Sequence, residues 1–287
     1  MNSLHQRIEH VCEYIEYNLD GPLSLDVLSD VACYSKFHFH RVFKAVTGLS
    51  VQQYVLCLRL RRASFRISFE KNVNLSDIGF EAGFDSPEAF SRAFKREVGQ
   101  LPSEFRQNAD WENWNLRLKR KQSRLNKRHK MEIKVKVTEF PEIQIAYLSH
   151  IGSPDTVLKT AGKFIEWRKE TGLSPVKTSR TFGIAYSDPE TTPPDEFRWD
   201  VCGSVKSHVP ENSFGIKNGT LPAGKCAVIR HKGSHDGLSD SIWHAIKNWL
   251  PESQEELRDH PIYFEYLNFI FEVDECELLT DIYLPLK

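Results

Sequence analysis

Apolar residues in the first hundred positions recur every three or four residues, in two stretches that each contain one polar interruption. The stretches are "LSLDVLSDVACYSKFHFHRVFKAVTG" and "NLSDIGFEAGFDSPEAFSRAFKREVG". Helical spacing on both sides of an interruption predicts two short helices joined by a tight turn. The second helix of each pair has an apolar stripe at i, i+3 and i+4: Phe39, Val42 and Phe43, then Phe90, Ala93 and Phe94. The pattern therefore predicts two helix-turn-helix motifs.

Residues that favour helix starts stand at the expected places. Ser24 and Ser76 are candidate N-caps of the first helices. For the second helices the candidates are Ser35 in one copy and Asp85 or Ser86 in the other, where Pro87 suits the first helical position.

The two stretches are copies of one another. "FHRVFKAVTG" matches "FSRAFKREVG" at a spacing of 51 residues, whereas the preceding helices match at 50, which predicts one extra residue in the second turn. Between the copies, 51–68 has neither Gly nor Pro and reads as one helix of about 27 Å. Successive major-groove faces of B-DNA are about 34 Å apart. One chain could therefore present both motifs to adjacent major grooves.

The second half of the chain alternates in the manner of strands and is also duplicated. "FPEIQIAYLSHIGSPD" aligns with "LPAGKCAVIRHKGSHD" at a constant spacing of 81, which also relates Asp200 to Asp281. Each copy predicts a strand, a His-x-Gly-Ser turn, an amphipathic helix and two further strands. The predicted fold class is an all-α double helix-turn-helix domain followed by an α+β domain of two pseudo-symmetric β-α-β-β repeats. The groove between the copies is where a ligand is expected.

Charge distribution supports this division. The net charge of the 287-residue chain is −1, but Lys and Arg are concentrated in 110–130, whereas acidic residues are in excess after 131. We therefore expect domains at 1–109 and 131–287, joined by a basic linker at 110–130. The segment "WNLRLKRKQSRLNKRHK" at 114–130 either docks on DNA phosphates or is a solvated tether.

Several classes of protein are disfavoured. No apolar run has the roughly 18 residues of a membrane span, and the N-terminus lacks a signal-peptide core, so we expect a cytoplasmic protein without a membrane partner. The six cysteines form no C-x-x-C pair, which argues against zinc and against a disulfide framework. Nucleophile-elbow, metalloprotease, P-loop and dinucleotide motifs are lacking, so neither an enzyme nor a cofactor is predicted.

Residues 8–106 resemble the DNA-binding domain of AraC/XylS-type transcription regulators, in the paired motif and in its ending "GQLPSEFR". Residues 131–287 resemble the GyrI-like effector-binding domain, most clearly in "FGIAYSDPETTPPDEFRWDVC" and "LLTDIYLPL". These resemblances imply a transcription regulator with double-stranded promoter DNA, a small-molecule effector and RNA polymerase as partners. A hydrolytic or purely protein-binding second domain is the alternative.

The second helix of each motif supplies the candidate DNA contacts. His38 and His40 lie about 200° apart on a helix, so they cannot chelate one metal ion. Arg41 suits guanine, His40 suits a base acceptor and Phe37 suits a thymine methyl group. With flanking and matching positions, the predicted DNA-binding residues are Lys36, Phe37, His40, Arg41 and Lys44 in the first motif and Glu88, Ser91, Arg92 and Lys95 in the second. Glu88 either accepts from a cytosine or only caps its own helix.

Glu265 is the candidate anchor of the effector. Strand alternation in "IYFEYLNF" places it on one face with Tyr263 and Leu267, in apolar surroundings where an unpaired carboxylate is costly. The resemblance implies that such a Glu anchors an organic cation, with the predicted walls Tyr147, Tyr186, Trp199 and Tyr266. Alternatively, Glu265 pairs with an Arg, Lys or His and the aromatic residues are core. His150 and His231 each precede a Gly-Ser turn and are interpreted as structural.

Overall fold

The computed structural model describes residues 4–119, 134–189 and 191–287. They form two compact units. The helical unit contains the residues up to Lys119 together with Ile270–Cys276. The sheet unit contains the other described residues. No helix in the described ranges is long and apolar enough to cross a membrane.

The helical unit has eight α-helices among its described residues. They are α1 (Leu4–Tyr17), α2 (Leu25–Val31), α3 (Lys36–Thr47), α4 (Val51–Phe69), α5 (Leu75–Glu81), α6 (Pro87–Val98), α7 (Pro102–Gln107) and α8 (Trp111–Trp114), which continues as a π-helical turn, Asn115–Lys119. The pairs α2–α3 and α5–α6 are the two predicted helix-turn-helix motifs. The long connecting helix α4 is also as predicted.

Both motifs turn in the same way. In the first, the N–H groups of Cys33 and Tyr34 donate to carbonyls of α2, and in the second those of Gly83 and Phe84 donate to the matching carbonyls of α5. Cys33 and Gly83 both have positive φ, of 53° and 82°. The inserted residue of the second copy follows this turn, as predicted.

Capping residues agree with the sequence in part. Ser24 caps α2 and Ser86 caps α6, each accepting from a backbone N–H of the first turn. The prediction of Ser76 as a cap was wrong, because α5 begins at Leu75 and its N-cap position is Asn74, two residues earlier. Gly48 and Gly99 end α3 and α6 in the left-handed conformation that glycine adopts at low cost.

The core of the helical unit contains the predicted stripes. Phe39 and Phe43 pack edge-on, and Phe43 packs in the same way on Tyr54 of α4. In the second motif Phe90 and Phe94 pack edge-on, and Phe94 continues to Phe105 of α7. Burial of these rings fixes which face of α3 and α6 remains outside.

The basic linker was expected to begin at residue 110, but the described chain remains helical to Lys119. Trp111 and Trp114 are buried against Phe65 of α4, and Leu118 is also buried. This correction has a simple cause, since two tryptophans and a leucine at helical spacing bury more apolar surface than a tether would. Residues 120–130 of the predicted linker, and most of the basic segment 114–130, lie outside the described residues.

The sheet unit contains one antiparallel sheet of eight strands in the order β1-β6-β8-β7-β3-β4-β2-β5. The strands are β1 (Val135–Phe140), β2 (Ile143–Ile151), β3 (Thr181–Ala185), β4 (Arg198–Ser204), β5 (Lys217–Leu221), β6 (Gly224–Lys232), β7 (Ile262–Tyr266) and β8 (Leu279–Pro285). The helices α9 (Val157–Thr171), α10 (Leu238–His244) and α11 (Leu250–Ser253) follow the two His-x-Gly-Ser turns. The predicted pseudo-symmetric repeats are confirmed, and each begins with one further strand, β1 or β5.

The two faces of the sheet differ. On one face α9 and α10 cover an apolar layer that includes Phe164, Trp167 and Phe264. On the other face lies a second core, which includes Phe140, Phe182, Tyr263 and Tyr283. A turn of two residues joins β1 to β2, although these strands lie near opposite ends of the sheet order. The sheet must therefore curl, and its concave face encloses the second core.

Candidate functional site

The outer face of α3 is cationic. Lys36, His40, Arg41 and Lys44 are exposed there, while the helix is held from behind by its buried phenylalanines. Arg41 has no side-chain partner among the described residues, so its five N–H donors are available to a base or phosphate. Lys36 pairs with Asp26 of α2. The side chain of Phe37 lies outside the described residues.

The outer face of α6 is mixed in charge. Glu88, Arg92 and Lys95 are exposed, and Ser91 is half-buried. Ser86 supplies the cap, with its hydroxyl oxygen accepting from the N–H of Ala89 at 3.2 Å. The N-cap position proposed as an alternative for Glu88 is therefore filled by another residue. Glu88 lies in the first turn, where its charge is favourable to the helix dipole and unfavourable to an approaching phosphate.

Glu265 lies on β7, on the concave face of the sheet, and is buried. Arg180 donates from Nε to Oε1 at 2.6 Å and from a terminal nitrogen to Oε2 at 2.7 Å. The Tyr283 hydroxyl donates to Oε2 at 2.9 Å. The hydrogen bonds to Glu265 raise the pKa of Arg180, and burial raises that of Tyr283. In this state Glu265 has the Arg partner that the second interpretation of the sequence expected.

The four predicted walls of the effector pocket do not share one face. Tyr147 packs against the concave-face core. Tyr186 stacks on Arg198, which pairs with Asp200 beside the same core, and burial raises the pKa of Tyr186 to about 12. Trp199 and Tyr266 instead lie on the helix-covered face, over Gly183. Since neighbours in a strand point to opposite faces, Tyr266 cannot line a pocket with Glu265.

Comparison with known proteins agrees with both units. Residues 133–287 match the family of the GyrI-like small molecule binding domain, and residues 28–108 match a helix-turn-helix domain family. The chain is 47% identical over 156 residues to "Probable transcriptional regulator YgiV" of Escherichia coli K12, covering 54% of this chain and 98% of that protein. It belongs to the AraC-type regulators with a GyrI-like domain. Its GyrI-like family membership rests on more than half of the chain.

Two further relatives match the helix-turn-helix part of this AraC-type regulator. The Right origin-binding protein of Escherichia coli K12 is 36% identical over 104 residues, covering 36% of each chain. The regulatory protein SoxS of Salmonella typhimurium is 33% identical over 104 residues, covering 36% of this chain and 96% of that protein. The chain is thus a DNA-binding transcription regulator with an effector-binding domain.

The two histidines of the GyrI-like repeats have matching roles. His150 bridges Thr160 Oγ1 at 2.8 Å and the carbonyl of Ser153 at 3.0 Å. His231 bridges Ser241 Oγ at 2.9 Å and the carbonyl of Ser234 at 3.0 Å. Burial lowers the pKa of His231. Each histidine therefore ties its turn to the following helix, in agreement with the structural interpretation.

Sequence reasoning missed the arginines of the concave face. Arg180 lies just before β3, and two more pairs, Arg198 with Asp200 and Arg230 with Asp281, occupy the same face. Arg230 could have been found from the sequence. The spacing of 81 residues aligns β6 with β2 and β8 with β4, so the same alternation of side chains assigns the residues of both strand pairs to the two faces of the sheet. Arg180 has no such signal, since it lies outside a strand. No group of three or more His, Cys, Asp or Glu residues suited to a metal ion occurs in the described part of the chain.

Proposed function

We propose that this regulator reads promoter DNA mainly through α3, with α6 in a supporting role. The observation that carries the proposal is the exposed, unpartnered guanidinium of Arg41 on a face that also presents His40 and Lys44. Arg92 occupies the matching place on α6, but the nearby Glu88 weakens the field of that helix. The proposal is supported by the usual docking of helix-turn-helix motifs, in which the second helix of the motif lies in the major groove.

Lys36 has a more limited role in this proposal. Its ammonium group pairs with Asp26, and both side chains are largely exposed. An exposed ion pair of this kind is worth at most about 1 kcal/mol, so DNA phosphate can replace Asp26 as the partner of Lys36. Lys36, Lys44 and Lys95 are therefore assigned to phosphate contacts, which set affinity without reading sequence.

The effector is proposed to act from the GyrI-like domain by linkage. A small ligand that binds the DNA-competent state more tightly than the other state shifts the population toward it. A cationic or aromatic ligand is supported by the buried Glu265 among aromatic rings. Contact with RNA polymerase, and action in the cytoplasm where promoter DNA is found, are what the family resemblance implies.

Selection from random-sequence DNA tests the readout. Arg41→Ala should lose about 1 to 3 kcal/mol at its cognate base pair and relax the selected sequence there. Arg92→Ala should change the selected sequence less, because α6 has fewer base-reading side chains. His38→Ala, an exposed substitution on the same helix as Arg41, is the matched control and should leave the selected site unchanged. An unaltered site for Arg41→Ala would remove Arg41 from base readout.

A further inference from the structure

The carboxylate of Glu265 is paired with a planar cation, the guanidinium of Arg180. Arg180 meets both of its oxygens with two roughly parallel N–H donors, the bidentate geometry that a planar guanidinium provides and an ammonium does not. The guanidinium carbon of Arg180 also lies 5.4 Å from the ring centre of Phe140 and 5.0 Å from that of Phe182. Aromatic faces, a carboxylate and the Tyr283 hydroxyl together surround one flat cation.

The backbone of Arg180 is held by hydrogen bonds, and its side chain is partly exposed to solvent. Its N–H donates to Ser204 Oγ at 2.9 Å, and its carbonyl accepts from the Ser204 N–H at 2.9 Å. The side chain of Arg180 is 38% exposed, whereas that of Glu265 is 10% exposed. The guanidinium can therefore leave into water, while the carboxylate cannot.

The pseudo-symmetry shows that the fold does not need this ion pair. The positions 81 residues from Glu265, Tyr283 and Arg180 are Ile184, Cys202 and Pro261, none of which carries a charge. Ile184 and Cys202 are buried in the same core, so the frame accepts apolar residues at these places. The charged cluster therefore occurs in one repeat only, and the matching positions of the other repeat are uncharged.

We propose that Arg180 is a tethered occupant of a cation site formed by Glu265, Tyr283, Phe140 and Phe182, and that the effector is a planar organic cation of the guanidinium or amidinium class that displaces it. This inference rests on the proposed function, in which the GyrI-like domain binds a small effector. Exchange of one flat cation for another keeps the buried carboxylate paired, so the desolvation cost of an unpaired charge never arises. The ligand competes only with a tethered side chain, whose effective concentration sets the affinity.

Removal of the tethered occupant tests the proposal in the full chain. The probe is methylguanidinium at millimolar concentration, with binding measured by calorimetry and stability by thermal unfolding. Arg180→Ala should unfold at a lower temperature than the unaltered protein, and methylguanidinium should raise that temperature in a saturable way. The variant should bind the probe about tenfold or more tightly than the unaltered protein, because the competitor is gone. Methylammonium at equal ionic strength should have no such effect.

Two controls locate the binding. Arg230→Ala removes an arginine from another carboxylate pair of the same face, that of Asp281, and should gain no affinity for methylguanidinium. Arg180→Ala combined with Glu265→Gln should lose the gain. If Arg180→Ala does not fold, Arg180→Lys retains the charge but cannot span both oxygens, so it competes less well than Arg180 and should show a smaller gain in the same direction over the unaltered protein. Equal probe affinity for the folded Arg180 variant and for Arg230→Ala would overturn the proposal.

These measurements use no DNA, so a negative result would count against the cation site and not against DNA binding by the regulator. Loss of the cation site would leave the DNA selection with Arg41→Ala unaffected. DNA affinity measured with and without methylguanidinium, using Arg180→Ala, then asks whether an occupied site is coupled to DNA binding.

Discussion

The two helix-turn-helix motifs have nearly the same backbone and different surfaces. Both close their turns with the same hydrogen bonds, and both end on a left-handed glycine, Gly48 or Gly99. The buried phenylalanines match, but His40 is replaced by Ser91 and Phe37 by Glu88 in the second copy. Duplication has thus preserved the positions that fix the helix and the exposed pairs Arg41/Arg92 and Lys44/Lys95, while other candidate contact positions have diverged. The backbone is nearly the same in both copies, so any difference in DNA readout is expected to come from the exposed side chains that differ.

The duplicated sheet also contains both matching and diverging positions, here inside a core. The His turns are equivalent in both repeats, and Asp200 and Asp281 are both retained with arginine partners. Glu265 stands where the first repeat has Ile184. In the sheet unit, the candidate anchor Glu265 thus lies at a position where two otherwise matching copies diverge.

The largest effect is expected where the copies agree. Phe43→Ala and Phe94→Ala each remove a fully buried ring that packs edge-on with neighbouring rings. Each substitution should lower the free energy of unfolding by about 3 to 5 kcal/mol, through lost burial and the cavity left behind. Denaturant unfolding followed by circular dichroism measures both. A difference of more than about 2 kcal/mol between them would show that the two frames are not equivalent.

A smaller effect is expected at the turn, where the copies use different residues for one conformation. Gly83 has φ of 82°, and an added Cβ would meet the guanidinium of Arg59. Gly83→Ala should therefore cost about 1 to 2 kcal/mol of stability. Cys33 has φ of 53° at the same place in the first motif, although it is not a glycine. Cys33→Gly should change stability by less than about 1 kcal/mol, because relief of backbone strain in the folded state opposes the added freedom of the unfolded chain. Thermal unfolding compares them, and equal losses would contradict a shared turn.

Periodicity predicted most of this fold because buried stripes at helical and strand spacing leave few alternatives. Even the inserted residue could be assigned to a turn from the change in spacing between copies. What the sequence did not predict depends on contacts distant along the chain. Trp111 and Trp114 looked like part of a linker because their partner, Phe65, is far away in sequence.

The effector site shows where sequence reasoning stopped and where it was applied incompletely. The burial of Glu265 followed from alternation, but its pairing with Arg180 joins residues 85 positions apart. No local pattern indicates such a contact. By contrast, the exclusion of Tyr266 from the face of Glu265 followed directly from strand parity. The DNA contacts remain predictions, since they require a partner whose shape the sequence does not contain.

The smallest expected effect concerns the position where the outer faces of the two motifs differ most in charge. Glu88 is exposed in the first turn of α6, on the face proposed to approach DNA. Glu88→Gln should raise DNA affinity about two- to threefold at low salt, because it removes a charge that repels phosphate. The gain should shrink as salt rises and screening shortens the reach of that charge. Glu142→Gln makes the same charge change in the sheet unit and should leave affinity unaltered. Weaker binding by Glu88→Gln would instead indicate that the carboxylate accepts from a base, and α6 would then read sequence alongside α3.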